Sequence, residues 1–499
     1  MDQKEFTLLT GTCDDILNMF PDNYPVTAVS WLHVLSVHPN NLQYYQYASK
    51  PRSFFSACRI LLYNSAYIGY KLIKSLLGPN VNEKSLPIHA DILFISHLVN
   101  ADLPLGTQDF YFGQIPYLTE TRKGYTSVTG MIDHTPGDKT KEQRAALEND
   151  ITVKYVFPKT QLFRKELELI GQCISTYRLL LRKRKTETDP LRRTILREAA
   201  FQALAPETFY TLRIYESIKT LIERLRPADL VITWEGRAWE RLAIYAAKNA
   251  GFPVHCIGYQ HTILLSSSYS IKRSLGKVFD ADLIFTLGNI SRKILEERLK
   301  FTTCKSYGSY RLVLPESVQM KKSDKIICLV TPEGLEQECI YLFDFAVEMA
   351  KKMPQISFVF RMHPILPYNK FAEKHKEFLS LPANCQVSEF PSMNDDLKRC
   401  NFLLYRASSV ALYAVINGLK PVYCGREDEM PIDSLYFLGN WRAVVKNRQE
   451  FMQVIETHQQ MPEAEKEQEF ASALSLCREY VTVPAEEIFI NSFVPLSKL

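Results

Sequence analysis

The 499-residue sequence contains no CxxC pair, no GxGxxG, no GxxxxGK[ST] and no long uncharged apolar run. Each absence excludes a class. Its eleven cysteines, at positions 13, 58, 173, 256, 304, 328, 339, 385, 400, 424 and 477, are odd in number and unpaired in spacing. That fits reduced thiols and argues against a disulfide framework or a structural zinc. Without the two glycine motifs, a dinucleotide redox enzyme and a P-loop NTPase both lose support. Charge of one sign is also scarce: 60 basic against 55 acidic residues leave a net +5, too little over this length to point to nucleic acid.

The most apolar early stretch, Phe54 to Leu77, is interrupted by Arg59, Asn64, Lys71 and Lys74, so it falls short of a spanning segment and reads as an amphipathic helix. Its aromatics and lysines suit a membrane surface; packing against the next domain is the plainer reading. The opening MDQKEFTLLTGTCDDILNMF carries acids where a secretion signal needs a basic stretch and then an apolar one. A cytoplasmic protein is expected, at most peripheral to an inner membrane.

What is present is ordinary globular composition, with 46% hydrophobic and 23% charged residues, enough for two to four domains at roughly 100–200 residues each. From about residue 86, short β-branched runs alternate with longer helical stretches, the signature of βαβ units. One set of strands is expected at 91–96, 230–234, 254–259 and 283–287, with long helices between 160 and 225. A second set is expected at 325–330, 356–361, 386–389, 402–405 and 421–424. The stretch CKSYGSYRLVLPESVQMKKSD between the sets reads as a linker. The expected fold class is α/β, two Rossmann-like doubly wound domains facing each other across a cleft. The expected boundaries are a mainly helical extension at 1–85, a first domain at 86–305, a linker at 306–323, a second domain at 324–480 and a tail at 481–499. The basic cluster Arg182 to Lys185 with Arg192 and Arg193 reads as a solvated helix face, with an anionic lipid or acceptor as the functional alternative.

In an open α/β sheet, ligands bind beyond the carboxyl ends of the strands. Four places qualify. In ITWEGRAWERL, Glu235 and Gly236 follow a strand and Arg237 opens a helix; in HCIGYQHT, Tyr259, Gln260 and His261 end the next strand. If these two strands are neighbours they lie about 4.8 Å apart, and Glu235 and His261 can then act on one substrate as base, nucleophile or proton carrier. The structural alternative for Glu235 is a helix-start acid. In ISFVFRMHP, Arg361, His363 and Pro364 follow a strand, and alternation puts Arg361 and His363 on one side. In NFLLYRASSVAL, Ser408 and Ser409 open a helix after a strand, a ready anion site, while Arg406, with Gly236, Arg237, Tyr259 and Gln260, is a candidate acceptor or cleft contact. In LVTPEGLEQE, Thr331, Glu333 and Gly334 link a strand to its helix, with Gly334 allowing close approach and Glu333 suited to a sugar hydroxyl.

The HP pair His363–Pro364 and the SS pair Ser408–Ser409, in that order within the second of two Rossmann-like domains, resemble the GT-B glycosyltransferases that use CMP-activated sugars, the bacterial sialyltransferases and Kdo transferases. The stretches SHLVNADLP, DFYFGQIP, WEGRAWERL and IGYQHT further resemble bacterial surface-carbohydrate biosynthesis proteins. The resemblance covers roughly residues 90 to 430. It implies that His363, Ser408 and Ser409 hold the nucleotide phosphate. It also implies a catalytic carboxylate from an acid-acid-glycine motif, met here by the single acid of Trp234–Glu235–Gly236. The implied activity is transfer of a 2-keto acid sugar from CMP to a surface glycan or glycolipid. Two alternatives stay open: a UDP- or GDP-sugar transferase or epimerase, and a non-catalytic nucleotide-sugar-binding subunit. No cofactor or essential metal is expected, since Asp280–Ala281–Asp282, a formal DxD, precedes the apolar run LIFTLG and so lies at a strand's amino end.

Overall fold

The computed structural model describes residues 2–34, 45, 53–76, 86–99, 104–137, 139–310, 318–323, 325–363, 366–427 and 429–495. Pro364 and part of the expected linker lie outside them. The chain divides into two compact units, one made of Met1–Thr262, Ser268–Tyr310 and Pro484–Leu499, the other of Ile263–Ser267 and Arg311–Val483. Each contains a parallel sheet with helices, so both are Rossmann-like α/β units, the class the strand-and-helix alternation predicts.

The first unit opens with helices α1 (Gln3–Asn18) and α2 (Phe54–Leu76). Its sheet comprises β1 (Ile92–Leu98), β2 (Ser127–Asp133), β3 (Lys154–Val156), β4 (Asp229–Thr233), β5 (His255–Tyr259), β6 (Leu283–Thr286) and β7 (Thr303–Ser306), in the order β3-β2-β1-β4-β5-β6-β7. From β1 the chain moves outward to β3. It then returns through the long helices α3 (Phe163–Thr186), α4 (Pro190–Ala203) and α5 (Pro206–Leu225) to lay β4 on the other side of β1. The strand order therefore reverses between β1 and β4. Every residue of β4 is buried, because helices cover both faces of a parallel sheet and leave only its rims open.

Three strands of this sheet escape the sequence pattern. β3 and β7 have three and four residues, too few for a periodicity. β2 carries Gly130, where an added Cβ would stand 2.8 Å from the Phe157 ring, so the residue that packing demands is one that strand propensity disfavours. The last residues, set apart by sequence as a tail, complete the core: α9 (Glu486–Ile490) brings Phe489 into a stack with Phe285 at 4.2 Å between ring centroids, and Phe493 packs in the same cluster.

The second unit's sheet comprises β8 (Ile327–Thr331), β9 (Ser357–Phe360), β10 (Cys385–Val387), β11 (Phe402–Tyr405), β12 (Lys420–Cys424) and β13 (Ala443–Val445), ordered β10-β9-β8-β11-β12-β13. The order reverses between β8 and β11. Helix α7 (Glu336–Lys352) follows β8 and packs Phe343 face to face with Phe360 at 4.4 Å, while the short α8 (Val410–Ile416) follows β11. All eleven cysteines are free thiols. No helix among the described residues is long and apolar enough to cross a membrane.

Candidate functional site

The carboxyl rim of the first sheet, at its order reversal, gathers side chains from four strands. β4 ends at Thr233, and the chain turns through Trp234, Glu235 and Gly236 into α6 (Ala238–Lys248). Gly236 holds φ at +79°, and a Cβ there would lie 2.3 Å from the backbone carbonyl of Ser270; only glycine fits both requirements. Arg237 is the N-cap residue of α6, and Glu240, three residues on, reaches back. Glu240 Oε2 accepts from the backbone N–H of Glu235 at 2.8 Å and of Arg237 at 2.9 Å. The helix-start role considered for Glu235 thus belongs to Glu240.

The Glu235 side chain points elsewhere. Its Oε1 lies 3.6 Å from His261 Nε2, and its Oε2 is ion-paired with the Arg237 guanidinium. The His261 ring meets the Tyr111 ring edge-on at 4.7 Å. The neighbouring strands β4 and β5 therefore bring together the carboxylate and imidazole that the sequence places at their ends.

Two histidines that sequence reasoning missed complete this rim. His97, on β1, bonds through Nδ1 to His134 Nε2 at 2.9 Å and through Nε2 to Thr233 Oγ1 at 3.2 Å. His134 follows β2 and is exposed. Thr233 Oγ1 donates in turn to Glu240 Oε1 at 3.4 Å. A chain of hydrogen bonds therefore runs from an exposed imidazole to a fully buried carboxyl. Burial, with the positive fields of His134, Arg237 and His261, pushes His97 down to about 3, so it is neutral at pH 7. Burial, and then the charge of Glu235, pushes Glu240 up to about 8 against the two backbone donors that favour its anion. Glu240 is thus a buried carboxyl that holds its proton more tightly than a free one, beneath the rim where Glu235 stands. Among the described residues, no group of three or more His, Cys, Asp or Glu side chains is arranged to hold a metal ion.

Tyr259 and Gln260 are core residues, not part of the rim. Tyr259 OH donates to the Gly308 carbonyl at 2.9 Å, and Gln260 Oε1 accepts from Leu287 N at 3.0 Å. The formal DxD is structural: Asp280 pairs with buried Arg241, and Asp282 with Lys248.

In the second unit the order reversal lies between the loops after β8 and β11. Thr331 ends β8 with its Oγ1 buried and no hydrogen-bond partner, while Glu333 and Gly334 stand partly exposed beyond it. Ser408 Oγ accepts from Val410 N at 3.3 Å, and Ser409 is exposed at the start of α8. His363 is exposed beyond β9. Since β8 separates β9 from β11, the loops that carry His363 and the serines leave the same edge of the sheet, one on either side of the loop after β8.

Both arginines expected here are committed elsewhere. Arg361 NH1 pairs with the buried Asp396 at 2.9 Å, and its guanidinium also donates to Ser388 Oγ and to the carbonyls of Phe390, Pro391 and Ser392. Strand geometry stops at Phe360, so alternation no longer governs the direction of Arg361. Arg406 is buried between Glu338 and Glu429, donates to the Cys424 carbonyl at 2.8 Å and lies against the Tyr341 ring. A guanidinium so paired is a structural cation rather than a free phosphate ligand. A cavity of about 520 Å³ in this unit lies at the opposite edge, against the first residues of β11 and β12, and contains Lys420, which burial pushes down to about 8.

No known protein family matches the sequence, and no curated protein matches it. Solved structures similar to this chain include a glycosyltransferase of kitacinnamycin, at 12% identity and a TM-score of 0.44 over 82% of this chain and 100% of that one. MnaA of S. aureus with UDP matches at 12% identity and 0.47, over 81% and 95%. UDP-GlcNAc 2-epimerase from Neisseria meningitidis bound to UDP-GlcNAc matches at 13% identity and 0.43, over 82% and 100%. At these values the likeness says nothing of this chain's own substrate.

Proposed function

We propose that this chain is a glycosyltransferase that takes a sugar from a nucleotide donor, with the second unit's order-reversal loops holding the nucleotide and Glu235 with His261 carrying the acid–base or nucleophilic chemistry. The observation that carries the reading is where the Glu235 carboxylate points, one oxygen paired with Arg237 and the other toward His261. Glu240 takes over the helix start, so the Glu235 carboxylate faces an imidazole at a sheet's order reversal, the place where α/β proteins put their ligands. A carboxylate beside an imidazole can deprotonate an acceptor hydroxyl, or attack the sugar and be relieved by water or acceptor. His363, Ser408 and Ser409 are assigned to the donor phosphate, and a glycan or glycolipid is the acceptor.

A second reading, epimerisation of a UDP- or GDP-sugar, draws on the same pair: Glu235 faces His261, and a carboxylate beside an imidazole supplies a base and an acid.

Calorimetry of the full chain against CMP, UDP and GDP, followed by nucleotide release from the matching sugar conjugates, tests both. CMP binding with release from a CMP-sugar supports a 2-keto acid donor; UDP or GDP binding supports the diphosphate donors, and sugar inversion without nucleotide release supports epimerisation. Binding without any turnover would make the chain a nucleotide-sugar-binding subunit. Failure to bind any of the three would overturn the proposal.

A further inference from the structure

Helix α2 carries apolar side chains on two sides. Its 23 residues, Phe54–Leu76, pack on the first unit through a face that includes buried Asn64 and Ser75 and half-buried Ile60, Leu61, Ile68 and Leu72, with Lys71 Nζ donating to the Lys159 carbonyl at 3.3 Å. A second set of apolar side chains faces solvent: Phe55 is 83% exposed, Leu62 72%, Ile73 66% and Leu76 66%. At about 100° per residue, Phe55, Leu62, Ala66 and Ile73 fall on one stripe about 40° wide. A soluble helix normally turns such a stripe to the core and its amides and ammonium groups to water, and scattered exposed apolar residues do not line up in this way.

The borders of the stripe identify what covers it. Tyr63 and Tyr70 are exposed along one flank, where Arg59 is exposed too and Lys74 Nζ stands 5.5 Å from the Tyr70 ring centroid. The helix contains no Asp or Glu. An apolar ridge bordered by tyrosines and cations, without a single acid, complements an acyl layer under anionic headgroups. A protein partner would accept the ridge but gives no reason for the one-sided charge. The helix is not apolar enough to cross a bilayer, which leaves it lying in the interface.

We propose that α2 docks the protein on an anionic lipid surface, with Phe55, Leu62, Ile73 and Leu76 among the acyl chains and Arg59 and Lys74 at the headgroup phosphates. This stands apart from the nucleotide-sugar reading and does not depend on it.

Flotation of the full chain with vesicles of phosphatidylcholine, alone or mixed with phosphatidylglycerol, tests the proposal. The chain floats with the anionic vesicles and is released by salt. The double variant Leu62→Ser/Ile73→Ser loses at least about tenfold in partitioning with its unfolding temperature unchanged, since both positions are exposed. In Phe55→Trp, the emission shifts to the blue on anionic vesicles and is quenched by brominated lipid. Three results would overturn the proposal: a chain that stays unbound with both vesicle types, a double variant that floats as the parent does, or α2-dependent dimerisation without vesicle binding, which would assign the face to a second copy.

Discussion

Glu235 Oε1 lies 3.6 Å from His261 Nε2, and this approach exists because a different acid, Glu240, satisfies the backbone donors of the Glu235–Arg237 turn. The two glutamates divide what one would otherwise do. Glu240, which has no exposed surface, holds the turn; Glu235, paired with Arg237 and with 23% of its side chain open, is the one the proposed function gives to the substrate. The predictions below follow from that division and from the separate ion pairing of the second unit.

Glu240 and His97 should leave opposite marks on stability. A carboxyl raised from 4.5 to about 8 binds a proton in the folded state that the unfolded chain has already lost, so its contribution falls as pH rises from about 4.5 through about 8. His97, lowered from 6.5 to about 3, is neutral when folded and charged when unfolded, so stability rises with pH across that window. Unfolding temperatures of the parent, Glu240→Gln and His97→Phe from pH 4 to 9 check this. The parent's decline toward pH 8 should flatten in Glu240→Gln, and the rise from the acid side should flatten in His97→Phe.

Arg406 is expected to be a stability residue. Arg406→Met takes the buried cation from Glu338 and leaves Glu429 only its 3.7 Å pair with the more exposed Arg426, a change that costs about 3–5 kcal/mol when a buried pair is broken. Denaturant unfolding should show that loss. A variant with unaltered stability that selectively lost nucleotide affinity would instead make Arg406 a phosphate ligand.

His363 is expected to act on binding. On the proposed assignment its exposed ring would donate to an ionised phosphate, a hydrogen bond worth about 1.5–3 kcal/mol, so His363→Ala should weaken the preferred nucleotide by roughly ten- to hundredfold with unfolding unchanged. Ser408→Ala/Ser409→Ala should act in the same direction, which calorimetry on both variants checks.

What the sequence disclosed and what it hid follow from range. The central strands of both sheets were legible because, buried on both faces, they read as short apolar runs, and Glu235 and His261 were legible because they follow such runs directly. His97 was hidden because β1 extends to Leu98, two residues past the end its apolar pattern suggests, and His134 because Gly130 disguises β2. Arg361 and Arg406 were misassigned because a cation at a strand's end resembles a ligand until its partners are seen. Those partners, Asp396 for the first and Glu338 and Glu429 for the second, are 35, 68 and 23 residues away in the chain, beyond any local pattern. The capping role of Glu240 was readable in principle, since an acid three residues after a helix's N-cap is a known signal, but Glu235 stood closer to the strand and drew the assignment.

The central claim, that Glu235 performs chemistry and Glu240 holds structure, is tested most directly by Glu235→Gln assayed for nucleotide affinity and turnover on the same preparation. The account predicts nucleotide binding within a few-fold of the parent and turnover lowered by about 10²–10⁴, the pattern of an interaction made mainly in the transition state. A variant that keeps full activity per folded molecule while losing stability and nucleotide affinity together would contradict it.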